Sequence, residues 1–512
     1  MILDNWNSGY VTEIGYQWGY FGELNPLRAQ LAMLCNGLVF PEVRTACELG
    51  FGQGVSTNMH AAGSEMQWFG TDFNPSHAVV AQQMAKASGA NTHVFDASFA
   101  ELGQRKDLPQ FDFIGVHGVW SWISDENRQE LVDFIRARLK VGGVLYISYN
   151  VHPGWSNFIP MRQLMLEYVE RATSHSKGIA SRIQEALDFS EKLVATKPIY
   201  TQANPQVEKR LESIRSQNRN YVAHEYFNRD WHPMTFLDMD KHLDQAKLSF
   251  ICSAHFLEHV SSLTMTKEQR EVVETVSDQT LRNQLSDFMT NQFFRRDYWT
   301  RGLRRMSGSE QMERFNDFYL LLNRHIEDVS YTIKGPIGEA NLSKDVYQPL
   351  IELMADHKPR SIGEIMSKLQ SDQLTPSSLL QAMIVLIGDN QMSPVYLEPS
   401  KKVRKQCMQL NRHIKSRSRD TDEIQFLASP LTGGGVPANR INQLFLLARE
   451  NRLTNETQLA QFAWDRLSAG KQSLVKDGKA LETAEENLAE LGNRAKDFIN
   501  KTLPVYTALG IQ

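Results

Sequence analysis

Three alternating glycines constrain this chain more than any other sequence feature. They lie at positions 50, 52 and 54, in the segment Ala46-Cys-Glu-Leu-Gly-Phe-Gly-Gln-Gly54, which follows a partly apolar run from Val43. Glycine has no Cβ atom, so three of them after a predicted strand indicate a tight turn whose backbone closely approaches a ligand. A glycine-rich turn without a ligand is the alternative, and the segments that follow weigh against it.

The spacing of these glycines differs from that of a dinucleotide-binding loop. The Gly-x-Gly-x-x-Gly fingerprint needs its third glycine where this chain has Val55. Instead, Glu48 lies two positions before the first glycine. The resulting Glu-x-Gly-x-Gly-x-Gly pattern resembles the nucleoside-binding loop of class I S-adenosylmethionine-dependent methyltransferases. The resemblance implies that S-adenosylmethionine is the cofactor and that the loop passes around its methionine end.

Acidic residues end the next two predicted strands. The strand over 66–72 ends in Asp72, and the strand over 91–96 ends in Asp96. Asp72 suits hydrogen bonds from both ribose hydroxyls, although Asp72-Phe-Asn-Pro also suits a helix start. In the family that the loop resembles, an acid after the third strand contacts the adenine amino group. The resemblance therefore assigns cofactor binding to Glu48, Gly50, Phe51, Gly52, Gly54, Asp72, Phe73, Asp96, Ala97 and His117.

The fourth and fifth predicted strands are followed by aromatic residues and histidines. Ligands of open α/β sheets bind outside the carboxyl ends of the strands, so these residues are expected to face the cofactor and the methyl acceptor. Aromatic walls suit a lysine ammonium, and histidines are candidate bases near neutral pH. Core packing is an equally open interpretation for one of the tryptophans at 120 and 122. The predicted catalytic residues are His117, Trp120, Tyr149, Asn150 and Trp155, with Trp122 and His152 beside them.

A narrower resemblance extends along nearly the whole chain. Segments 117–122, 148–155, 221–233, 287–296 and 428–437 resemble bacterial methyltransferases that carry a methyltransferase regulatory domain, among them the rickettsial outer-membrane-protein lysine methyltransferases. The chain departs from that pattern at Val151-His-Pro-Gly-Trp155 and at Asn25-Pro26, beside the expected acceptor pocket. The resemblance implies methylation of protein lysines. Methylation of a polysaccharide sugar or small metabolite, and a non-catalytic regulator that retains the cofactor pocket, stay open.

The expected architecture is an α/β, Rossmann-like class I methyltransferase core with further helical parts. The aromatic segment 9–28, with Tyr10, Tyr16, Trp18 and Tyr20, is either a packed arm or a lid over the pocket. The resemblance also implies a homodimer formed through the helical insertion. The predicted divisions are an arm and core (1–157), a helical insertion (158–216), a return to the sheet (217–265), a helical middle region (266–344), a winged-helix-like domain (345–400) and a C-terminal helical domain (401–512).

Composition limits the partners and the compartment. A net charge of −4 means that the chain lacks the overall positive charge that is typical of nucleic-acid-binding proteins. The expected recognition helix offers Ser377, Ser378 and Gln381 rather than arginine or lysine. Nucleic acid is therefore not the expected partner, despite a basic run over 401–419. Four scattered cysteines encode neither a disulfide framework nor a zinc site. No signal peptide and no apolar run of about 18 residues is present, so a cytoplasmic protein without membrane insertion is expected.

Overall fold

The computed structural model of the protein describes residues 17–174 and 176–511, so Tyr10 and Tyr16 lie outside the described residues. A seven-stranded sheet in the order β3-β2-β1-β4-β5-β7-β6 organises the first 300 residues. Strands β1 to β5 run parallel, β7 runs antiparallel to β5, and β6 runs antiparallel to β7. The strands are β1 (Thr45–Leu49), β2 (Gln67–Asp72), β3 (Thr92–Asp96), β4 (Phe111–Val116), β5 (Leu139–Asn150), β6 (Ser249–Ser253) and β7 (Phe294–Thr300).

Five helices precede or connect the parallel strands. They are α1 (Pro26–Cys35), α2 (Val55–Ala62), α3 (Pro75–Ser88), α4 (Phe99–Gln104) and α5 (Asp125–Arg138). Two of them begin with proline after an asparagine cap: the Asn25 side chain accepts from Leu27 N at 2.9 Å, and Asn74 accepts from Ser76 N at 3.0 Å. Proline suits the first helical position because its missing N–H would have no partner there.

The predicted insertion over 158–216 is helical, with its own apolar core. Its helices are α6 (Ile159–Ala172), α7 (Ile179–Ala195), α8 (Ile199–Ala203) and α9 (Gln206–Ser216), and α10 (Arg219–Tyr226) leads back towards the sheet. The buried side chains of α7 include Ile183, Leu187 and Val194, which share one face of the helix. They pack in one cluster with Trp155 and Trp231.

The chain then completes the central sheet, which the prediction of a helical region over 266–344 missed. After α11 (Phe236–Asp244), β6 lies within the predicted return to the sheet over 217–265. Helices α12 (Ser261–Thr264), α13 (Lys267–Glu274) and α14 (Gln279–Thr290) then lead to β7. Strand β7 was concealed because Arg295, Arg296 and Asp297 interrupt its apolar pattern. The same region holds α15 (Gly308–Asn316) and the strands β8 (Tyr319–Leu322), β9 (Thr332–Gly335) and β10 (Gly338–Asn341).

A small unit of three helices and three strands follows. Its elements are α16 (Lys344–Met354), β11 (Arg360–Ser361), α17 (Ile362–Leu369), α18 (Pro376–Gly388) and β12 (Met392–Val395). The expected recognition helix with Ser377, Ser378 and Gln381 is α18. The three-stranded sheet has the order β11-β8-β12, so its central strand comes from upstream of the first helix and outside the predicted boundary at 345.

The C-terminal region packs on the core helices. It comprises α19 (Lys401–Arg417), β13 (Phe426–Ser429), β14 (Gly434–Pro437), α20 (Arg440–Glu450), α21 (Glu456–Ala469), β15 (Val475–Lys476), β16 (Lys479–Ala480), α22 (Ala484–Asp497), a π-helix (Phe498–Thr502) and α23 (Leu503–Ala508). A Cβ atom at Gly63, after α2, would lie 2.6 Å from the Gly433 carbonyl carbon. Every residue of α2 is buried as a result. Across residues 17–174 and 176–511, no helix combines the length and apolar character that crossing a bilayer requires.

Candidate active site

The glycine loop connects β1 to α2 and adopts a left-handed backbone at each of its three glycines. Their φ angles are 78° at Gly50, 56° at Gly52 and 72° at Gly54, values that other residues rarely adopt. A Cβ atom at Gly50 would lie 2.4 Å from Val119 Cγ2, and one at Gly54 would lie 2.5 Å from Ala81 Cβ. The loop thus requires glycine at these two positions on both conformational and steric grounds.

Asp72, at the end of β2, ties the glycine loop to the sheet. Its Oδ2 accepts from Gly52 N at 2.9 Å, and its Oδ1 accepts from Asn74 N at 3.0 Å. His77 Nδ1 lies 3.1 Å from the same Oδ1. The helix cap of α3 is Asn74, so the N-cap interpretation of Asp72 is wrong and the carboxylate belongs to the loop.

Glu48, on β1 below the loop, is a buried acid without a cationic partner among the described residues. It is 2% exposed, and the Thr57 hydroxyl donates to its Oε2. Burial raises its pKa to about 8, the charge of Asp72 acts in the same direction, and the hydrogen bond from Thr57 opposes both. An uncompensated carboxyl beside a glycine loop fits a ligand that brings an ammonium group, as the amino-acid end of S-adenosylmethionine does.

The other residues assigned to the cofactor contribute in different ways. Asp96 is paired with Asp72 in the register of β3 and β2 and is exposed. Ala97 N donates to Asp72 O at 3.3 Å, which fixes the chain after β3. Phe73 follows Asp72 directly and is partly exposed. The Phe51 side chain is 6% exposed and packs with Ala81, so only its backbone belongs to the loop.

His117 follows β4 and is held by neighbours on β5. Its Nδ1 lies 2.8 Å from Tyr146 Oη and 3.5 Å from Ser148 Oγ, and its ring stacks on Phe21 with 3.6 Å between centroids. Its Nε2 has no hydrogen-bond partner within residues 17–174 and 176–511. Burial lowers the pKa of His117 to about 4, although the charge of Glu23 acts in the opposite direction. His117 is therefore neutral near pH 7.

Glu23 supplies a fixed negative charge close to His117. Its Oε1 lies 2.7 Å from Arg296 Nη1 on β7, and its backbone oxygen accepts from Tyr298 Oη at 2.7 Å. Burial opposes the charge of Glu23, but Arg296 and other nearby cations outweigh it and hold its pKa below the ordinary value. Glu23 is thus a carboxylate at neutral pH.

A cavity of about 840 Å³ opens from His117 between the core, the loop after β8 and the C-terminal region. At the core, Phe21 and Phe294 place aromatic rings against His117, the second in an edge contact with 6.1 Å between centroids. The remaining wall comes from distant parts of the chain. Lining residues include Tyr20, Glu23, Arg28, Arg296, Arg324, Asp328, Phe426, Lys501 and Tyr506.

Two predicted catalytic residues lie away from this cavity. Trp120 is fully buried in the sheet's core and directs its Nε1 at Met234 Sδ, 3.1 Å away, so it is a packing residue. Tyr149 faces the side of β5 opposite Tyr146, because successive residues of a strand alternate in direction. Its hydroxyl donates to Asp297 Oδ2 at 2.8 Å, within a buried cluster that includes Arg295.

Trp155 and Asn150 are also buried rather than exposed to the cavity. Trp155 is 5% exposed, donates from Nε1 to Phe293 O at 2.9 Å and belongs to the core of the helical insertion. Asn150 is 3% exposed, and its Nδ2 has no hydrogen-bond partner among the described residues. Trp122 packs near Trp231, with 6.1 Å between ring centroids. The structure therefore leaves His117 as the one predicted catalytic residue that lines the cavity of the described chain.

Sequence reasoning missed the partners of His117. The sequence contains a signal for Tyr146 and Ser148, because side chains alternate along β5 and place these two on one face and Tyr149 on the other. Phe21 and Glu23 lie in the segment that we expected to be either an arm or a lid, and Phe21 N donates to Ser56 Oγ at 2.9 Å. Arg296 had no local signal, since it lies 273 positions from Glu23 in the sequence.

The strand order and the glycine loop with its two buried acids define the fold and cofactor site of a class I methyltransferase. Residues 46–143 match the family described as "Methyltransferase domain", and residues 218–301 match "Predicted methyltransferase regulatory domain". The second match contains β6 and β7, so the regulatory domain completes the catalytic sheet. The chain belongs to the class I S-adenosylmethionine-dependent methyltransferases that carry a methyltransferase regulatory domain.

Individual proteins show the extent of the likeness. An uncharacterised protein of Synechocystis sp. is 40% identical over 99% of both chains. An uncharacterised protein of Rickettsia prowazekii is 23% identical over 65% of this chain and 62% of its own length. The structure of PKMT2 from Rickettsia typhi has a TM-score of 0.68 at 15% identity and covers 97% of this chain, with 100% of PKMT2 matched. PKMT2 has also been solved in complex with AdoHcy, with a TM-score of 0.67 to this chain.

The raised pKa of Glu48 makes a prediction about stability. Between the ordinary carboxyl value and about 8, the folded protein holds a proton that the unfolded chain releases. The free energy of unfolding should therefore fall as pH rises through this window, by up to about 1.4 kcal/mol per pH unit from this group. Glu48→Gln should remove that slope, measured by urea unfolding of the cofactor-free protein from pH 5.5 to 8.5.

Glu65→Gln provides the matched control, because Glu65 is exposed and follows the same helix α2. This variant should keep the slope of the wild-type protein. Equal slopes for Glu48→Gln and wild type would show that Glu48 is ionised in the folded state at neutral pH.

Proposed function

We propose that this protein transfers methyl groups from S-adenosylmethionine to the ε-amino groups of protein lysines. The observation that carries the proposal is the cavity at His117, where a neutral imidazole, the Glu23 carboxylate and the rings of Phe21 and Phe294 meet. A carboxylate and aromatic faces attract an ammonium group. The amine must lose a proton before its lone pair can attack. Burial in the cavity lowers the pKa of an entering ammonium as it lowers that of His117, so the neutral imidazole can receive this proton.

The residues divide this task between cofactor and acceptor. When bound, S-adenosylmethionine supplies a methyl group on a sulfonium centre, which needs no further activation. Glu48 and Asp72 would hold the cofactor at the glycine loop, for the reasons of burial and charge given above. His117 can act as base through Nε2 if its Nδ1–H donates to Tyr146 Oη, 2.8 Å away. In that tautomer, the hydrogen bond to Tyr146 positions the ring.

The shape of the cavity supports a macromolecular acceptor. Its walls come from the core, the loop after β8 and the C-terminal region, so the acceptor approaches between separate parts of the chain. PKMT2 from Rickettsia typhi shares the fold over nearly the full length, including these outer parts. A lysine side chain is long enough to enter such a cavity while its backbone stays outside.

Transfer of labelled methyl groups into a cell extract tests the class of acceptor. The purified protein is incubated with labelled S-adenosylmethionine and extract, either untreated or with its lysine amines acetylated beforehand. We expect label in the protein fraction of the untreated extract and little after acetylation, because acetylation removes the nucleophilic lone pair. Label that persists after acetylation, or appears in the glycan or small-molecule fraction, would contradict lysine as the acceptor.

We also propose that the protein is a homodimer formed through the helical insertion. The insertion presents Ile199 at 83% exposure and Leu164 at 38%, apolar surface suited to an interface. Ile199→Asp combined with Leu164→Asp should convert dimers to monomers, measured by light scattering. Val141→Asp, at a residue that is 82% exposed on β5, should leave the dimer intact. A wild-type protein that is already monomeric would refute the proposal.

We propose that the protein is located in the cytoplasm, because its cysteines suit a reducing compartment. All four are free thiols: Cys35, Cys47, Cys252 and Cys407. Disulfide bonds are rare in reducing compartments, so free thiols agree with this location. Fractionation of cells with an antibody against the protein tests it, and recovery outside the cytoplasmic fraction would contradict it.

A further inference from the structure

The cavity at His117 carries more positive than negative charge. Arginine and lysine contribute four cations to its lining, whereas glutamate and aspartate contribute two anions; these are Arg28, Arg296, Arg324 and Lys501 against Glu23 and Asp328. An acceptor that brings only an ammonium group would meet this excess on its way to His117. The charge balance therefore favours an acceptor that also carries an anionic group.

Two of the four cations are already neutralised by carboxylates. Arg296 Nη1 lies 2.7 Å from Glu23 Oε1, and Lys501 Nζ lies 3.2 Å from Asp328 Oδ1 and 3.0 Å from Glu327 Oε2. The contacts of Lys501 join the C-terminal region to the loop after β8 beside the cavity. The charges of Arg296 and Lys501 are thus neutralised by the protein's own carboxylates. The excess positive charge of the cavity therefore belongs to Arg28 and Arg324.

The side chains of Arg28 and Arg324 make no ion pair or hydrogen bond with any residue of 17–174 and 176–511. The Nε atom of Arg28 is buried without an acceptor, and its guanidinium carbon lies 5.1 Å from the centre of the Phe256 ring. Arg324 is exposed, and it influences Asp389 electrostatically without an ion pair. A buried guanidinium donor normally has a partner, so Arg28 indicates an acceptor group that residues 17–174 and 176–511 do not supply.

We propose that Arg28 and Arg324 form a subsite for a carboxylate beside the acceptor amine, so that the preferred substrate is a lysine next to an acidic group. The proposal rests on the proposed function and specifies its substrate class. Guanidinium groups bind carboxylates through paired, charge-assisted hydrogen bonds, which suits them to this recognition. A neighbouring aspartate or glutamate side chain and a free chain terminus both supply such a carboxylate.

Three peptides that differ at one group test the subsite. The first contains Lys-Glu, the second contains Lys-Gln, and both have blocked termini; the third contains Lys-Gln at a free C-terminus. We expect kcat/KM for methyl transfer to be about tenfold higher for a peptide with the carboxylate than for the blocked Lys-Gln peptide. Binding is measured separately by fluorescence anisotropy, with acetyl-lysine in the same peptides and S-adenosylhomocysteine present, so that no methyl transfer occurs. We expect the Kd values to show the same preference for the carboxylate.

Variants that remove a positive charge test whether the two arginines cause the preference for a carboxylate. Arg28→Gln and Arg324→Gln should each reduce the preference, and the double variant should abolish it. Arg412→Gln removes the same charge from an exposed site on α19 outside the cavity and should retain it. Thermal unfolding and S-adenosylmethionine affinity show whether Arg28→Gln is folded, and Arg324→Gln, at an exposed position, carries the test if it is not.

The outcomes separate the subsite from the proposed function. A preference for Glu or for the free terminus supports the subsite and identifies the source of the carboxylate. Equal kcat/KM and Kd for all three peptides would overturn the subsite and leave lysine methylation standing. A preference in Kd without methyl transfer to any peptide would support the subsite and count against lysine as the acceptor.

Discussion

Asp72→Asn should weaken S-adenosylmethionine binding by roughly 30-fold to 1,000-fold, the equivalent of about 2–4 kcal/mol. In the proposed cofactor site the carboxylate accepts from ribose hydroxyls, and in the structure it accepts from Gly52 N at 2.9 Å and from Asn74 N at 3.0 Å. An amide keeps the size of the side chain but loses the negative charge and one acceptor. The variant therefore loses contacts to the cofactor together with part of the loop's support. Isothermal titration calorimetry measures the change.

Asp107→Asn is the matched control, because Asp107 is an exposed partner of Arg105 far from the loop in sequence. It should bind S-adenosylmethionine as the wild type does. A thermal unfolding curve for Asp72→Asn distinguishes a lost ligand contact from a lost fold. Wild-type affinity in a folded Asp72→Asn protein would show that the second strand does not hold the ribose.

His117→Gln should lower kcat for lysine methylation by about 100-fold to 1,000-fold at pH 7, within the range expected for loss of a general base. The deficit should shrink as pH rises, because the acceptor amine deprotonates itself near its own pKa. In the wild type, His117 is neutral well below pH 7, since burial lowers its pKa to about 4. Its titration should therefore not limit the wild-type rate between pH 6 and 9. Single-turnover rates from pH 6.5 to 10 measure both profiles.

His152→Gln controls for the chemistry of the substitution. His152 lies 2.9 Å from Ser156 Oγ, is partly exposed and does not line the cavity, so its replacement should leave the rate within about twofold. S-adenosylmethionine affinity should be normal in His152→Gln, and its measurement in His117→Gln separates a loss of cofactor binding from a loss of the base. If His117→Gln abolished activity at every pH, a hydroxyl acceptor would fit better, because an alcohol does not deprotonate itself in this range.

The glycine loop and its buried acids could be predicted from the sequence because their determinants are local. Gly50, Gly52 and Gly54 lie within one turn, and Glu48 and Asp72 end neighbouring strands of a parallel sheet. A short pattern then fixes the backbone, since only glycine adopts these φ angles without strain. The fold of the first 150 residues followed for the same reason.

The surroundings of His117 could not be predicted because the contacts there are long-range. Trp120 and Trp155 are of a residue type that suits a pocket wall, but an aromatic residue suits a hydrophobic core equally well. Only the packing in the folded protein distinguishes a pocket wall from a core. Tyr149 binds Asp297, and Glu23 binds Arg296, across 148 and 273 positions of sequence. Both partners lie on β7, the strand that the charged pattern concealed.

Identification of the atom that receives the labelled methyl group is the most direct test of lysine methylation. The protein is incubated with methyl-labelled S-adenosylmethionine and a peptide containing one lysine, and the product is hydrolysed in acid and separated alongside standards. A peptide with arginine in place of that lysine is the control. We predict label in ε-N-methyllysine and none in the arginine peptide. Recovery of the label only in acid-labile form, in a sugar or small molecule, or equally from both peptides would contradict lysine methylation.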